Sequence, residues 1–94
     1  MKFEWDPEKS RENQEKHGVS FEEALSLWDG NYLEVSHIAY ALDGESREAT
    51  MGLINQKVYV AIWTRQKKKI RIVSVRRART YEEKIYWQGI QNGS

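Results

Sequence analysis

Two periods of apolar residues divide the chain near residue 30. In "VSFEEALSLW" (residues 19–28), Phe21, Ala24, Leu25 and Trp28 recur at helical spacing. Ser20 and Glu23 make a capping box, and Val19 with Ala24 a hydrophobic staple. Asp29-Gly30-Asn31 ends this helix as a turn. Beyond it the pattern is that of strands: "YLEVSHIAYAL" (32–42), "REATMGLI" (47–54), "KVYVAIWT" (57–64) and "IRIVSVR" (70–76). The third is apolar on both faces, which places it at the centre of a sheet. "DGES" (43–46) and "NQ" (55–56) supply turns, the second without the usual glycine. "RQKKK" (65–69) is a basic loop.

The two ends complete the order. "FEW" (3–5) is a short strand. Asp6 and Pro7 open a helix over 7–16 as N-cap and first helical residue, and Gly18 closes it in a left-handed conformation. That helix, "EKSRENQEK", has no apolar stripe, so it must lie on the surface or meet a partner. Thr80 and Glu83 read as a capping box for a final helix over 81–90, followed by a frayed tail, 91–94. The order β-α-α-β-β-β-β-α predicts an α+β fold: an antiparallel sheet with two N-terminal helices and one C-terminal helix, as a single domain over 1–90.

Composition narrows the classes. The chain has 94 residues and no cysteine, so there is no disulfide framework and no thiolate chemistry. With two histidines, a four-ligand zinc site is not expected, nor is any other metal or cofactor. No apolar run approaches a membrane span, and "MKFEWDPEKS" lacks the apolar segment of a secretion signal. A cytoplasmic protein with no membrane partner is the expectation. The formal net charge of +1 hides a split: residues 1–50 hold 12 acidic and 5 basic residues, and 51–94 hold 2 and 10. The basic half suits an anionic partner such as nucleic acid; equally, the two halves can neutralise each other.

The densest feature is "VRRARTYEE", three arginines within four residues where a helix begins. Strand alternation puts Ile70, Ile72, Ser74 and Arg76 on one face, and Arg71, Val73, Val75 and Arg77 on the other. Arg76 and Arg77 then leave the strand in opposite directions. A helix N-terminus disfavours cations, but its free amides together with guanidinium groups make a phosphate site. The competing reading is that the arginines pair with acids of the N-terminal half. Glu82 and Tyr86 share a helix face and could move protons, although such a pair is more often a solvated Glu and a half-buried Tyr. The loop Arg65, Lys67, Lys68 and Lys69, with Arg71 beyond it, could follow a nucleic-acid backbone or serve as a charged hairpin tip. His17 complements a helix dipole; His37 and Trp63 read as packing residues.

"FEWDPEKSRENQEKHGVSFEEA" followed by "RIVSVRRARTYEEKIY" closely resembles the BrnT-type toxins of bacterial type II toxin–antitoxin systems. Phe3, Trp5, Asp6, Lys16, His17, Gly18, Ser20, Phe21, Glu22 and Ala24 carry the first match. Arg71, Ile72, Ser74, Arg76, Arg77, Ala78, Glu82 and Tyr86 carry the second, and Glu45, Arg47 and Gly52 lie between. Val75 stands where the family usually has a small residue, and Glu83 where it often has a basic one. The resemblance implies a RelE-like fold and a ribonuclease that inhibits translation. It also implies a BrnA-type antitoxin partner, through which alone the complex meets operator DNA. RNA cleavage would run without metal: the ribose 2′-OH attacks the adjacent phosphate and the 5′-oxygen leaves. In that chemistry Arg77, Arg76 and Arg47 stabilise the phosphate, Glu82 is the base, Tyr86 the acid, and His17 a competitor for the base. The alternative is a non-catalytic module that acts with an antitoxin-like partner in operon repression.

Overall fold

The computed structural model describes residues 2–35 and 47–92. Their elements are β1 (Lys2–Glu4), α1 (Pro7–His17), a 3₁₀ helix (Glu23–Trp28), β2 (Leu33–Glu34), β3 (Glu48–Ile54), β4 (Lys57–Gln66), β5 (Lys69–Arg77) and α2 (Thr80–Asn92). The strands form one sheet in the order β1-β5-β4-β3-β2, so the doubly apolar strand is central, as its sequence requires. The fold is α+β. The expected strand over 32–42 is described only to residue 35; the rest of it, His37, Glu45 and the turn 43–46 lie outside the described residues. α2 includes Gln91 and Asn92, two of the four residues expected in the tail.

The sheet is mixed rather than wholly antiparallel. β1 pairs parallel to β5, with Phe3 opposite Ile70, and the other pairs are antiparallel. A parallel neighbour cannot be reached through a tight turn. β1 reaches its place because nearly the whole chain runs between it and β5.

The second helix is also wound more tightly than expected. Its capping box forms: Glu23 N–H donates to Ser20 Oγ at 3.1 Å and Ser20 N–H to Glu23 Oε1 at 3.0 Å. It then continues as a 3₁₀ helix. Three residues per turn align Phe21, Ala24 and Leu27, all at most 1 % exposed, while Leu25 and Trp28 are half-buried. The tighter turn lets the backbone come close to β3. A Cβ at Gly52 would lie 2.8 Å from the Leu27 carbonyl oxygen, so glycine is needed there. The Asn55-Gln56 hairpin closes with both residues at positive φ, 51° and 67°. The mirror-image turn is therefore made without glycine.

β5 does not alternate evenly. Ser74 pairs with Ile62 and Ile72 with Trp63, so Val73 is an extra residue, a β-bulge. The bulge resets the parity. Ile72 and Val75, expected on opposite faces, join one core cluster with Phe21, Leu27 and Ala61. On the other face Met51, Val58 and Val60 pack with Tyr86 of α2. Arg76, opposite Val60, faces α2. Arg77, opposite Tyr59, faces away from it, so the two arginines do diverge.

The polar helix α1 is held by hydrogen bonds rather than an apolar stripe. β1 covers β5 only from Lys69 to Arg71, leaving the rest of that edge open. Asn13, buried in α1, fills the place of a missing strand. Its Nδ2 donates to the Val75 and Val19 carbonyls, each at 2.8 Å, and its Oδ1 accepts the Val75 N–H at 3.1 Å. Ser10 Oγ accepts the Phe21 N–H at 2.9 Å. Asp6 caps the helix start through Glu8 N–H, and Gly18, at φ 77°, ends it, as expected. Asn13→Ala leaves two buried carbonyls and one N–H without partners, and should cost about 1–3 kcal/mol. Chemical denaturation checks this against Glu15→Ala on the exposed side of α1, which should change stability by less than about 0.5 kcal/mol.

Candidate active site

The arginine cluster divides at the end of β5. Arg76 makes a two-pronged ion pair with Glu82 of α2: Nη1 to Oε1 at 2.7 Å and Nη2 to Oε2 at 2.8 Å. The Glu82 side chain is fully buried, and its Oε1 also accepts the Arg79 backbone N–H at 2.8 Å. This replaces the expected Thr80–Glu83 capping box. The helix starts at Thr80, one residue earlier, so the carboxylate that reaches back is Glu82 at the third helical position. Arg76 is tolerated beside a helix N-terminus because a carboxylate stands between its charge and the helix dipole. The hydrogen bond from Arg76 holds the Glu82 carboxyl below its ordinary range, against the opposing effect of burial. The same bond raises the Arg76 guanidinium.

Tyr86 is enclosed too. It is 1 % exposed, donates to the Asn31 carbonyl at 2.6 Å, and burial pushes its phenol up. Glu82 and Tyr86, expected as base and acid, thus stand behind the surface and join α2 to β5 and to the turn at Asn31. Arg77 is the outward member. Its side chain is 47 % exposed, lies 5.8 Å over the Tyr59 ring and meets Glu83 at 3.9 Å. Arg79 is also exposed. Arg47 is half-buried just before β3. Met51 lies level with Arg76 through Val60, so Arg47 stands about 13 Å further along the sheet and two strands over. The fold does not bring its backbone to the cluster.

The remaining candidates lie elsewhere along β5. His17 ends α1 and lines a groove with Lys9, Glu12, Asn13, Lys16, Val73 and Ser74. The basic loop is shorter than expected. Arg65 and Gln66 belong to β4 and Lys69 to β5, so only Lys67 and Lys68 form the turn, with Lys67 at φ 57°. Arg65 lies 5.4 Å over Trp63. Arg71 and Lys69 both reach Glu4, at 3.1 and 3.7 Å. Sequence reasoning passed over Asn13, Ser10 and Tyr59. Asn13 and Ser10 gave one signal, as the short polar side chains of a helix with no apolar way to dock.

A sequence model of the family described as "Ribonuclease toxin, BrnT, of type II toxin-antitoxin system" matches residues 5–82. The chain belongs to the BrnT family. No curated protein matches it. The match ends at Glu82, so it takes in the whole arginine cluster and the carboxylate that anchors it. BrnT proteins are ribonuclease toxins of type II systems, and such a system supplies an antitoxin partner. Among the described residues of this BrnT chain, no helix is long and apolar enough to cross a membrane.

The buried pair makes stability sensitive to acid. A group whose pKa is lowered by folding stabilises the fold above its unfolded value, and that contribution fades as pH falls through the folded value. Stability should therefore drop below the ordinary glutamate range of about 4.3, and Glu82→Gln should flatten that drop. At neutral pH, Arg76→Ala leaves a buried carboxylate unpaired and should cost about 3 kcal/mol. Denaturation curves from neutral to acid pH measure both effects. Equal acid sensitivity in the parent and Glu82→Gln would show that the pair does not matter to stability.

Proposed function

We propose that this chain is itself an endoribonuclease that cleaves RNA without a metal. The ribose 2′-OH attacks the adjacent phosphate, its proton passes to a base, and the 5′-oxygen leaves with a proton from an acid. Cleavage of cellular RNA inhibits translation. A cognate BrnA-type antitoxin neutralises the enzyme, and the complex meets operator DNA through the antitoxin. Family membership supports the reaction class. One observation carries the reading at the level of residues: Arg77 faces solvent while Arg76 is held by Glu82. Anchoring one arginine fixes the end of β5, and the next presents its charge from that fixed base.

A cation held where phosphate charge develops is the strongest single aid to this reaction. Arg77 suits it, because Tyr59 lies against one side of its guanidinium and its exposed contact with Glu83 is weak enough to exchange for a phosphate. Arg79 adds charge beside it. Arg76, Glu82 and Tyr86 act as positioning residues. Among the groups expected to move protons, His17 is the one that lines an open groove. Arg47 belongs to a separate part of the sheet and acts on more distant phosphates.

The reading is tested with purified chain and naked RNA in EDTA. Arg77→Ala should fold normally and lose about 10²–10³ in cleavage rate, by analogy with a lost oxyanion donor. Arg77→Lys should recover only part, since a point charge does not reproduce the planar fork. If Arg77→Ala folds and cleaves like the parent, Arg77 is not the phosphate cation. If the parent does not cleave RNA at all but binds its antitoxin, the non-catalytic module is the better description.

A further inference from the structure

Three basic stations follow one another along β5. At its start, Lys2, Lys67, Lys68 and Lys69 surround Glu4 and, with Gln66, line a shallow cup of about 630 Å³. In its middle, Lys9, Lys16 and His17 of α1 line the groove beside Val73 and Ser74, with Glu12 as the acid there. At its end stand Arg77 and Arg79, with Glu83. The fold creates this order. Asn13 fastens α1 along β5 and so brings two lysines to a strand whose own middle residues, Val73 and Ser74, are uncharged. The two-residue turn at Lys67 and Lys68 gathers the hairpin lysines at the far end.

We infer that this strip is a track for single-stranded RNA, which runs from the Lys67–Lys69 cup, past the α1 groove, to Arg77. The inference rests on the ribonuclease reading for its substrate and adds where the strand lies and how much of it is held. Lys69 and Arg77 are eight strand residues apart, about 26 Å. A phosphate at Arg77 and another in the cup must then belong to nucleotides several positions apart. That span falls at the lower end of single-stranded sites, which hold about 4–16 nucleotides. The acids do not reverse the charge of the strip. Glu4 is already engaged by Arg71 and Lys69, which leaves Lys2, Lys67 and Lys68 of the cup to meet phosphates. Exposed lysines on a hairpin tip give sequence-independent attraction that weakens with salt. The track therefore sets substrate length and affinity, while chemistry stays at Arg77.

The test uses fully 2′-O-methylated RNA, which binds but lacks the attacking hydroxyl, so it reads the track whether or not the chain cleaves. Fluorescence anisotropy is measured with oligonucleotides of about two to about twelve nucleotides across a salt series. Affinity should rise with length and level off once the strand spans cup and Arg77. The salt slope for the long oligonucleotide should fall by about 2 in the Lys67→Ala, Lys68→Ala, Lys69→Ala triple variant, at about 0.7 per phosphate contact. The shortest oligonucleotide should bind parent and triple variant alike. Length-dependent binding without cleavage of ordinary RNA would uphold the track and remove the ribonuclease reading. An affinity that ignores length, or an unchanged slope in the triple variant, overturns the track. So does an acidic peptide that binds in place of RNA and is lost in the same variant, since the strip would then be a protein-docking surface.

Discussion

Glu82 has no contact with water, so its charge must be answered inside the fold. Arg76 answers it with two hydrogen bonds and the Arg79 amide with a third. These bonds fix where β5 ends, where α2 begins and the angle between them. The chain turns within Ala78 and Arg79, a connection too short to hold that geometry by itself. The Ala78 N–H is tied to Val58 of β4, so both sides of the turn are anchored. Isolated buried pairs add little net stability, because desolvation offsets most of the attraction. This one specifies an arrangement: a carboxylate at the third helical position satisfies the helix start and the strand end together.

β5 is the spine to which the rest is fitted. β4 pairs along its length, β1 covers its first residues, and α1 closes the remaining edge through Asn13. An open strand edge invites pairing with other chains, and a side-chain amide that copies the hydrogen-bond pattern of a peptide blocks it locally. The Val73 bulge belongs to the same design. Without it, Val75 would turn toward α2 and Arg76 away from Glu82. One extra residue thus decides which arginine is anchored and which is presented.

Much of the fold was legible because its signals are local. The Asp6 cap, the Gly18 stop, the Ser20–Glu23 box and the central place of β4 each depend on a few neighbouring residues. The misreadings came where distant contacts decide. The 3₁₀ winding of Glu23–Trp28 answers to the close approach of Gly52, thirty residues away in the fold's order of strands and invisible to helical spacing. The parallel pairing of β1 depends on the whole intervening chain. The bulge has no residue signature in "IRIVSVR". For the site, the divergence of Arg76 and Arg77 was readable from alternation, though the faces assigned to Ile72 and Val75 were not. Thr80 and Glu83 fit a capping box as well as Arg79 and Glu82 do on spacing alone; burial of Glu82 decides between them.

The division of the arginines also explains how a charged site sits on a small domain without weakening it. A cation that must meet phosphate has to keep its hydrogen-bonding capacity free, so it cannot also tie the fold together. A cation that ties the fold must be saturated, and is then of little use to a substrate. Adjacent positions on a strand resolve the conflict, because they point to opposite sides. Arg76 supplies order and Arg77 inherits a fixed base without carrying the load. The same logic covers Glu82 and Tyr86. Their burial makes them poor reagents but good supports, because groups already satisfied within the fold need not rearrange when an anion arrives. What remains mobile at the surface is the guanidinium that the reaction would use.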